Sequence, residues 1–279
     1  MNATILTDST CDLPSELVAR LGLHVVPLYV LFGTESFRDG VTLSNADFFQ
    51  KLATSPHHPG TSQPTPEDFL QIYRQISGPV FSLHLASTLS GTFNSATQAV
   101  RLMGEEGSRV RVWDSDSVTA GLGLLAMAAQ DAAQEGQDLD GIEARVKQVR
   151  HDLKLRFTVE TLDHLAKGGR IGRAQALLGG LLKIRPILSF EDHTVCVLAK
   201  AFGFEQALNR IVDMAAEDHR LKPLRRMFVI HGAAPQAADR LEQKVREKIP
   251  GDFEILRTEI GAVIGTHVGP GAAGLAYHS

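Results

Sequence analysis

Apolar positions along the chain follow two alternating rhythms. Short β-branched runs bounded by polar turns predict strands, and stretches with apolar residues three and four apart predict helices. Residues 3–6 are apolar and end at Thr7-Asp8-Ser9-Thr10, so a strand is predicted to stop there. A helix should follow, with Asp12 as its N-cap and Pro14 in its first turn, where a missing N–H costs nothing. Residues 24–32 read as a second strand and 45–53 as a helix. Residues 55–65, with three prolines, two histidines and a glycine, read as a loop. Next come helix 67–76, buried strand 79–85, helix 92–103, strand 109–113, the small-residue helix 118–134 and the charged helix 140–152. Beyond a boundary near Leu153, the pattern predicts strand 155–159 and helices around 161–165 and 174–182. Strands 184–190 and 194–198, helix 204–218, strand 226–231, helix 235–248 and strand 253–256 follow. Strands separated by helices imply βαβ units and a mostly parallel sheet. The expectation is an α/β protein of two domains, 1–153 and 154–279.

Composition narrows the class. The length suits about two domains, and 43% hydrophobic with 22% charged residues is that of a folded globular chain. A net charge of −4 argues against a nucleic-acid partner, which needs an excess of Lys and Arg. Two cysteines, Cys11 and Cys196, make no disulfide framework and fit a reducing compartment. The N-terminus lacks a basic segment, and the longest apolar stretch, 118–129, is shorter than the ~20 residues a bilayer span needs. A cytoplasmic protein is expected, with at most transient contact with a membrane surface.

Candidate chemistry gathers where strands end, which is where open α/β sheets bind ligands. Four such segments are rich in hydroxyls: 7–10, 61–65, 87–92 and 114–119. Ser87-Thr88-Leu89-Ser90-Gly91-Thr92 is the strongest. It joins an apolar strand to a helix whose first N–H groups and positive dipole end favour an anion, and Gly91 permits close backbone approach. Thr61-Ser62-Gln63, between Pro59 and Pro64, should present hydroxyls rigidly. A carboxylate suits such groups, because charge-assisted hydrogen bonds make its burial tolerable. The loop Lys167–Gly172 could bring a cation over a glycine-opened site, and His267 lies among glycines that leave room beside its ring. No P-loop and no Gly-x-Ser-x-Gly elbow occurs, and the histidines lack zinc-ligand spacing, so no metal is expected. Ser90, with His84 upstream, leaves a serine-based esterase or thioesterase as the rival reading.

Taken in order, Thr7-Asp8-Ser9-Thr10, Thr61-Ser62-Gln63-Pro64, the run 87–94, Asp114-Ser115, the 167–172 loop, residues 182–188 and the 261–274 tail resemble the DegV family over essentially the whole chain. The resemblance implies two α/β domains, the N-terminal one with a mostly parallel sheet flanked by helices, and a ligand tunnel between domains. It implies a lipid-binding, non-catalytic protein holding a long-chain fatty acid, without a cofactor, and serving bacterial phospholipid metabolism. A separate fatty-acid kinase would convert the presented acid to acyl phosphate. Thr61 and Ser90, with Gly91 and Thr92, match the carboxylate-binding positions. His267 and Arg170 match basic residues near the head group. Ala201-Phe202-Gly203-Phe204-Glu205 departs from the family's basic segment there, which puts kinase docking through it in question. The fold is also similar to that of the dihydroxyacetone kinase substrate domain, so architecture alone does not name the ligand.

Overall fold

The computed structural model describes residues 2–178 and 184–279. The predicted helix 174–182 and the motif 182–188 lie partly outside these residues, and Gly179, Gly180 and Leu182 wholly so. In chain order the elements are β1 (Thr4–Asp8), α1 (Ser15–Leu21), β2 (His24–Val26), β3 (Tyr29–Phe32), β4 (Glu35–Arg38), α2 (Asn45–Thr54), β5 (Gly60–Ser62) and α3 (Pro66–Gln75). Then follow β6 (Val80–His84), α4 (Thr92–Leu102), β7 (Val110–Asp114), α5 (Ala120–Gln134), α6 (Leu139–Asp152), β8 (Lys154–Thr158) and α7 (Asp163–Lys167). The chain ends with β9 (Ile184–Glu191), β10 (Thr194–Phe202), α8 (Phe204–Leu221), β11 (Arg226–His231), α9 (Pro235–Lys248), β12 (Glu254–Glu259), α10 (Ala262–Val268) and β13 (Ala273–His278).

Two compact units emerge. The first comprises residues 1–43 and 59–151, and the second 44–58 and 152–279. Among the described residues the first unit holds a four-stranded sheet, β2-β1-β6-β7, and every pairing in it is parallel. Parallel strands need crossovers, and α1, α3, α4 and α5 supply or follow them. On one face Leu6, Val26 and Val80 pack with Phe69 and Tyr73 of α3 and Ala96 and Ala99 of α4. α5 lies against β1 and is buried almost all round, which its Ala- and Gly-rich sequence permits. A Cβ on Gly123 would sit 2.8 Å from the Cys11 carbonyl, so glycine is what lets this helix approach so closely. A small antiparallel sheet, β4-β3-β5, completes the unit.

The second unit has a six-stranded sheet among its described residues, in the order β10-β9-β8-β13-β11-β12. Only β11 and β12 pair in parallel, and the other pairings are antiparallel. The expectation of a mostly parallel sheet therefore describes the first unit alone. The alternation of helix and strand misleads here because β8, β9 and β10 meet as antiparallel neighbours and β13 returns between β8 and β11. α8 and α9 cover one face through Leu208, Ile211, Val212, Leu241 and Val245, packed with Ile187, Leu275 and Tyr277.

Locally the structure departs from the sequence pattern at several points. Asp12 is not a helix N-cap. It stands at φ 50° after a 3-10 turn (Ser9–Cys11), and its carboxylate accepts from Thr119 Oγ1 at 2.6 Å, while Pro14 occupies the N-cap of α1. The single strand 24–32 is two strands in different sheets, broken at Pro27 and Leu28, where the Leu28 N–H goes to Ser9 Oγ. Residues 60–62, read as loop, form β5, so strand pairing with β3 sets Thr61 and Ser62. A helix starting at Ala174 is instead a 3-10 turn over Gly172–Leu177. Finally, a single cut after Leu153 misses the excursion of 44–58. That segment belongs to the second unit because Phe48 and Phe49 of α2 press against Gly265 of α10, where a Cβ would lie 2.6 Å from the Phe48 ring.

Candidate functional site

The parallel sheet delivers the first site. β6 ends at His84, and Leu85 to Gly91 turn the chain into α4. The turn is anchored three times: the Leu85 N–H donates to Asp8 Oδ2 at 3.0 Å, the Ala86 N–H to the Ser117 carbonyl at 2.9 Å, and the Ser87 N–H to Asp114 Oδ1 at 3.2 Å. Ser90 then sits half-buried just before the helix. Its hydroxyl accepts from the Thr92 N–H at 3.3 Å and shares a 2.9 Å hydrogen bond with the Thr92 hydroxyl. Thr92 is itself fully buried, so its side chain holds Ser90 in place. Gly91 caps α4 without a side chain. Among the described residues the N–H groups of Gly91, Phe93 and Asn94 reach no protein acceptor. Open N–H groups at a helix start favour an anion.

The second hydroxyl segment meets the first through Gln63, which the motif Thr61-Ser62-Gln63-Pro64 contains but to which the sequence assigns no role. The Gln63 amide lies on Gly91: a Cβ there would be 2.7 Å from Gln63 Nε2 and 3.0 Å from its Cδ. Thr61, half-buried on β5, stands two residues before that amide. The fold thus brings together the segments that carry Thr61, Gln63, Ser90, Gly91 and Thr92. A glutamine between Ser62 and Pro64 gives no periodic signal, and Gly91 is distant in the sequence, so only the packing exposes the contact.

His84 does not serve Ser90. Its Nδ1 is 3.0 Å from Asp8 Oδ2 and its Nε2 is 2.7 Å from Ser82 Oγ, and all three side chains are fully buried. A nucleophile needs both its base and access to substrate. The Ser90 hydroxyl bonds to Thr92, and the Ser82-His84-Asp8 chain has no exposure to solvent.

In the second unit, α7 leads into Gly168, Gly169 and Arg170. The exposed Arg170 donates from Nη1 to the Gly168 carbonyl at 2.7 Å. His267 lies on α10 against Gly168, where a methyl group would overlap its Nδ1. His58 and His164 join it: their rings are 5.4 Å apart, and His164 packs on Gly269 at φ 74°. Burial, then Arg170 and His58, push the His267 imidazole down to about 4, so it is neutral at pH 7. His58 and His164 are lowered as well, chiefly by burial. Among the described residues no group of three or more His, Cys, Asp or Glu side chains is arranged to hold a metal ion. No helix of the described residues is long and apolar enough to cross a membrane.

A parallel sheet whose strand ends carry hydroxyls and open helix N–H groups, joined to a second mixed sheet, defines an α/β protein of two units. Its family is equally definite. The profile described as "Uncharacterised protein, DegV family" matches residues 2–279, and the chain belongs to the DegV family. It is 35% identical over 277 residues to a DegV domain-containing protein of Listeria innocua, covering 98% of this chain and 97% of that one. Among solved structures it is similar to one described as fatty acid binding of a DegV family protein from Thermus thermophilus. That match has a TM-score of 0.92 and 36% identity, and it covers all of both chains. A structure of DegV, described as a fatty acid binding protein from Bacillus subtilis, matches with a TM-score of 0.89 and 31% identity, covering 100% of this chain and 99% of that one.

Proposed function

We propose that this chain binds a long-chain fatty acid and hands it, chemically unchanged, to a separate fatty-acid kinase that forms the acyl phosphate. The Gln63 amide seated on Gly91 carries the reading, because it sets the hydroxyl segments of Thr61 and Ser90 beside the open N–H groups of α4. The relatives from Thermus thermophilus and Bacillus subtilis described as fatty-acid-binding support the ligand class.

The energetics suit it. Burying each methylene contributes about 0.8 kcal/mol, so a sixteen-carbon acid offers roughly 12 kcal/mol before ordering costs. The head group need only escape the penalty of desolvation. Thr61, Ser90 and the N–H groups near Gly91 donate to the carboxylate, while Thr92 steadies Ser90.

In this reading the protein needs no cofactor or metal, catalyses nothing alone and works in the cytoplasm. Kinase docking avoids the segment Ala201-Phe202-Gly203-Phe204-Glu205. There Phe202 is exposed, and Glu205 is occupied by Arg240 at 2.6 Å. The test is palmitate binding by calorimetry to delipidated protein. Thr61→Ala combined with Ser90→Ala should weaken it at least tenfold, about 1.4 kcal/mol, the scale of one or two lost hydrogen bonds. Unchanged affinity would remove the head-group assignment.

A further inference from the structure

We propose that the buried chain Tyr73–Ser82–His84–Asp8 is a positioning device that holds the Thr61 and Ser90 segments in register for the ligand's carboxylate; this rests on the fatty-acid reading. Each end of the chain is tied to one of those segments.

At one end, Asp8 closes β1. Its Oδ2 accepts from the Leu85 N–H, the first peptide of the turn that carries Ser90, and from His84 Nδ1, both at 3.0 Å. Its Oδ1 accepts from the N–H and hydroxyl of Thr10. A carboxylate only accepts, so it fixes the His84 tautomer with hydrogen on Nδ1. Nε2 is then left to accept from Ser82 Oγ at 2.7 Å, and Ser82 accepts from the Tyr73 hydroxyl at 2.8 Å.

At the other end, Tyr73 lies on α3, the helix that begins just after Thr61, Gln63 and Pro64. The start of α3 is locked by a capping box between Thr65 and Asp68. Asp68 also accepts from the Tyr29 hydroxyl on β3, at 3.2 Å, and β3 is the strand that pairs with Thr61 on β5. Every polar atom named on the chain has a partner, and Tyr73, Ser82, His84 and Asp8 are all fully buried. The helix after one segment and the strand before the other therefore meet through four side chains that no ligand can reach. Tight burial leaves the network a single arrangement, the property that positioning requires.

The experiment compares Asp8→Asn, Tyr73→Phe and Val80→Ala, the last a fully buried residue at the opposite end of β6, matched for loss of thermal stability. Palmitate affinity should fall at least fivefold in Asp8→Asn and Tyr73→Phe and stay within twofold of wild type in Val80→Ala. Tyr73→Phe should cost less in a Thr61→Ala background than in the wild type, because part of its effect passes through Thr61. Equal losses in all three single variants, or full additivity with Thr61→Ala, would overturn the proposal. Amide hydrogen exchange separates its failure from that of the ligand reading. Tyr73→Phe should speed exchange at both 60–65 and 85–91, whether or not the wild type takes up palmitate. Faster exchange at 60–65 alone would contradict the coupling.

Discussion

At Gly91 the missing side chain makes room for a neighbouring side chain and not for a backbone turn. Its backbone, at φ −75°, suits any residue, so no strain requires glycine there. What glycine provides is room for the Gln63 amide, which a methyl group would push aside. Gln63 is exposed and flexible, so it can move cheaply. Gly91→Ala should leave the melting temperature within about 2 °C while weakening palmitate binding several-fold, and adding Gln63→Ala should weaken it no further. A large thermal loss would show that the contact is structural. His267 makes the second prediction at this scale. Its imidazole titrates near 4 when folded and near 6.5 when unfolded, so between those values the unfolded chain binds more protons. Stability should therefore fall as pH drops from about 6.5 toward about 4. The urea midpoint of His267→Gln should depend less steeply on pH across that window, with His58 and His164 supplying part of what remains. Parallel pH profiles would mean that the ring is not held neutral by the fold.

Among the elements, the C-terminal strand was the least legible. The glycines of residues 261–274 suggest an open tail, yet the segment forms α10 and then β13, which runs between β8 and β11 in the second sheet. Gly274 explains the disguise. A Cβ there would meet the Arg156 carbonyl and lie 2.6 Å from the Phe157 Cβ, so the glycine is required by a close neighbour strand and marks no turn. Gly274→Ala should therefore destabilise the protein by about 1–3 kcal/mol, the usual cost of overpacking, read as a lower urea midpoint at unchanged slope. A neutral result would mean that β13 shifts freely. By contrast, β11 and α9 match their predicted bounds, because both have strong periodicity and α9 opens on Pro235. The hydroxyl segments were legible for a similar reason: strand ends and a glycine before a helix are local signals. Gln63, His58 and His164 were not, since each acquires its place from a partner far along the chain.

For the molecule as a whole, the α/β class is written in the alternation of patterns, whereas the division of the chain is not. Residues 44–58 join the second unit through Phe48 and Phe49, and no composition shift announces an excursion of that kind. The buried Asp8 network, likewise, is assembled from positions up to 77 residues apart. Function at this scale comes down to whether the chain carries an acyl ligand in near-equal ratio and leaves it intact. The direct measurement is native mass spectrometry of the purified protein, before and after delipidation and incubation with palmitate or oleate. The account predicts one added mass of a long-chain fatty acid per chain, lost on delipidation, regained on incubation and released unaltered by denaturation. Protein that neither arrives with such a ligand nor takes one up would contradict it, as would the release of a hydrolysed or modified product.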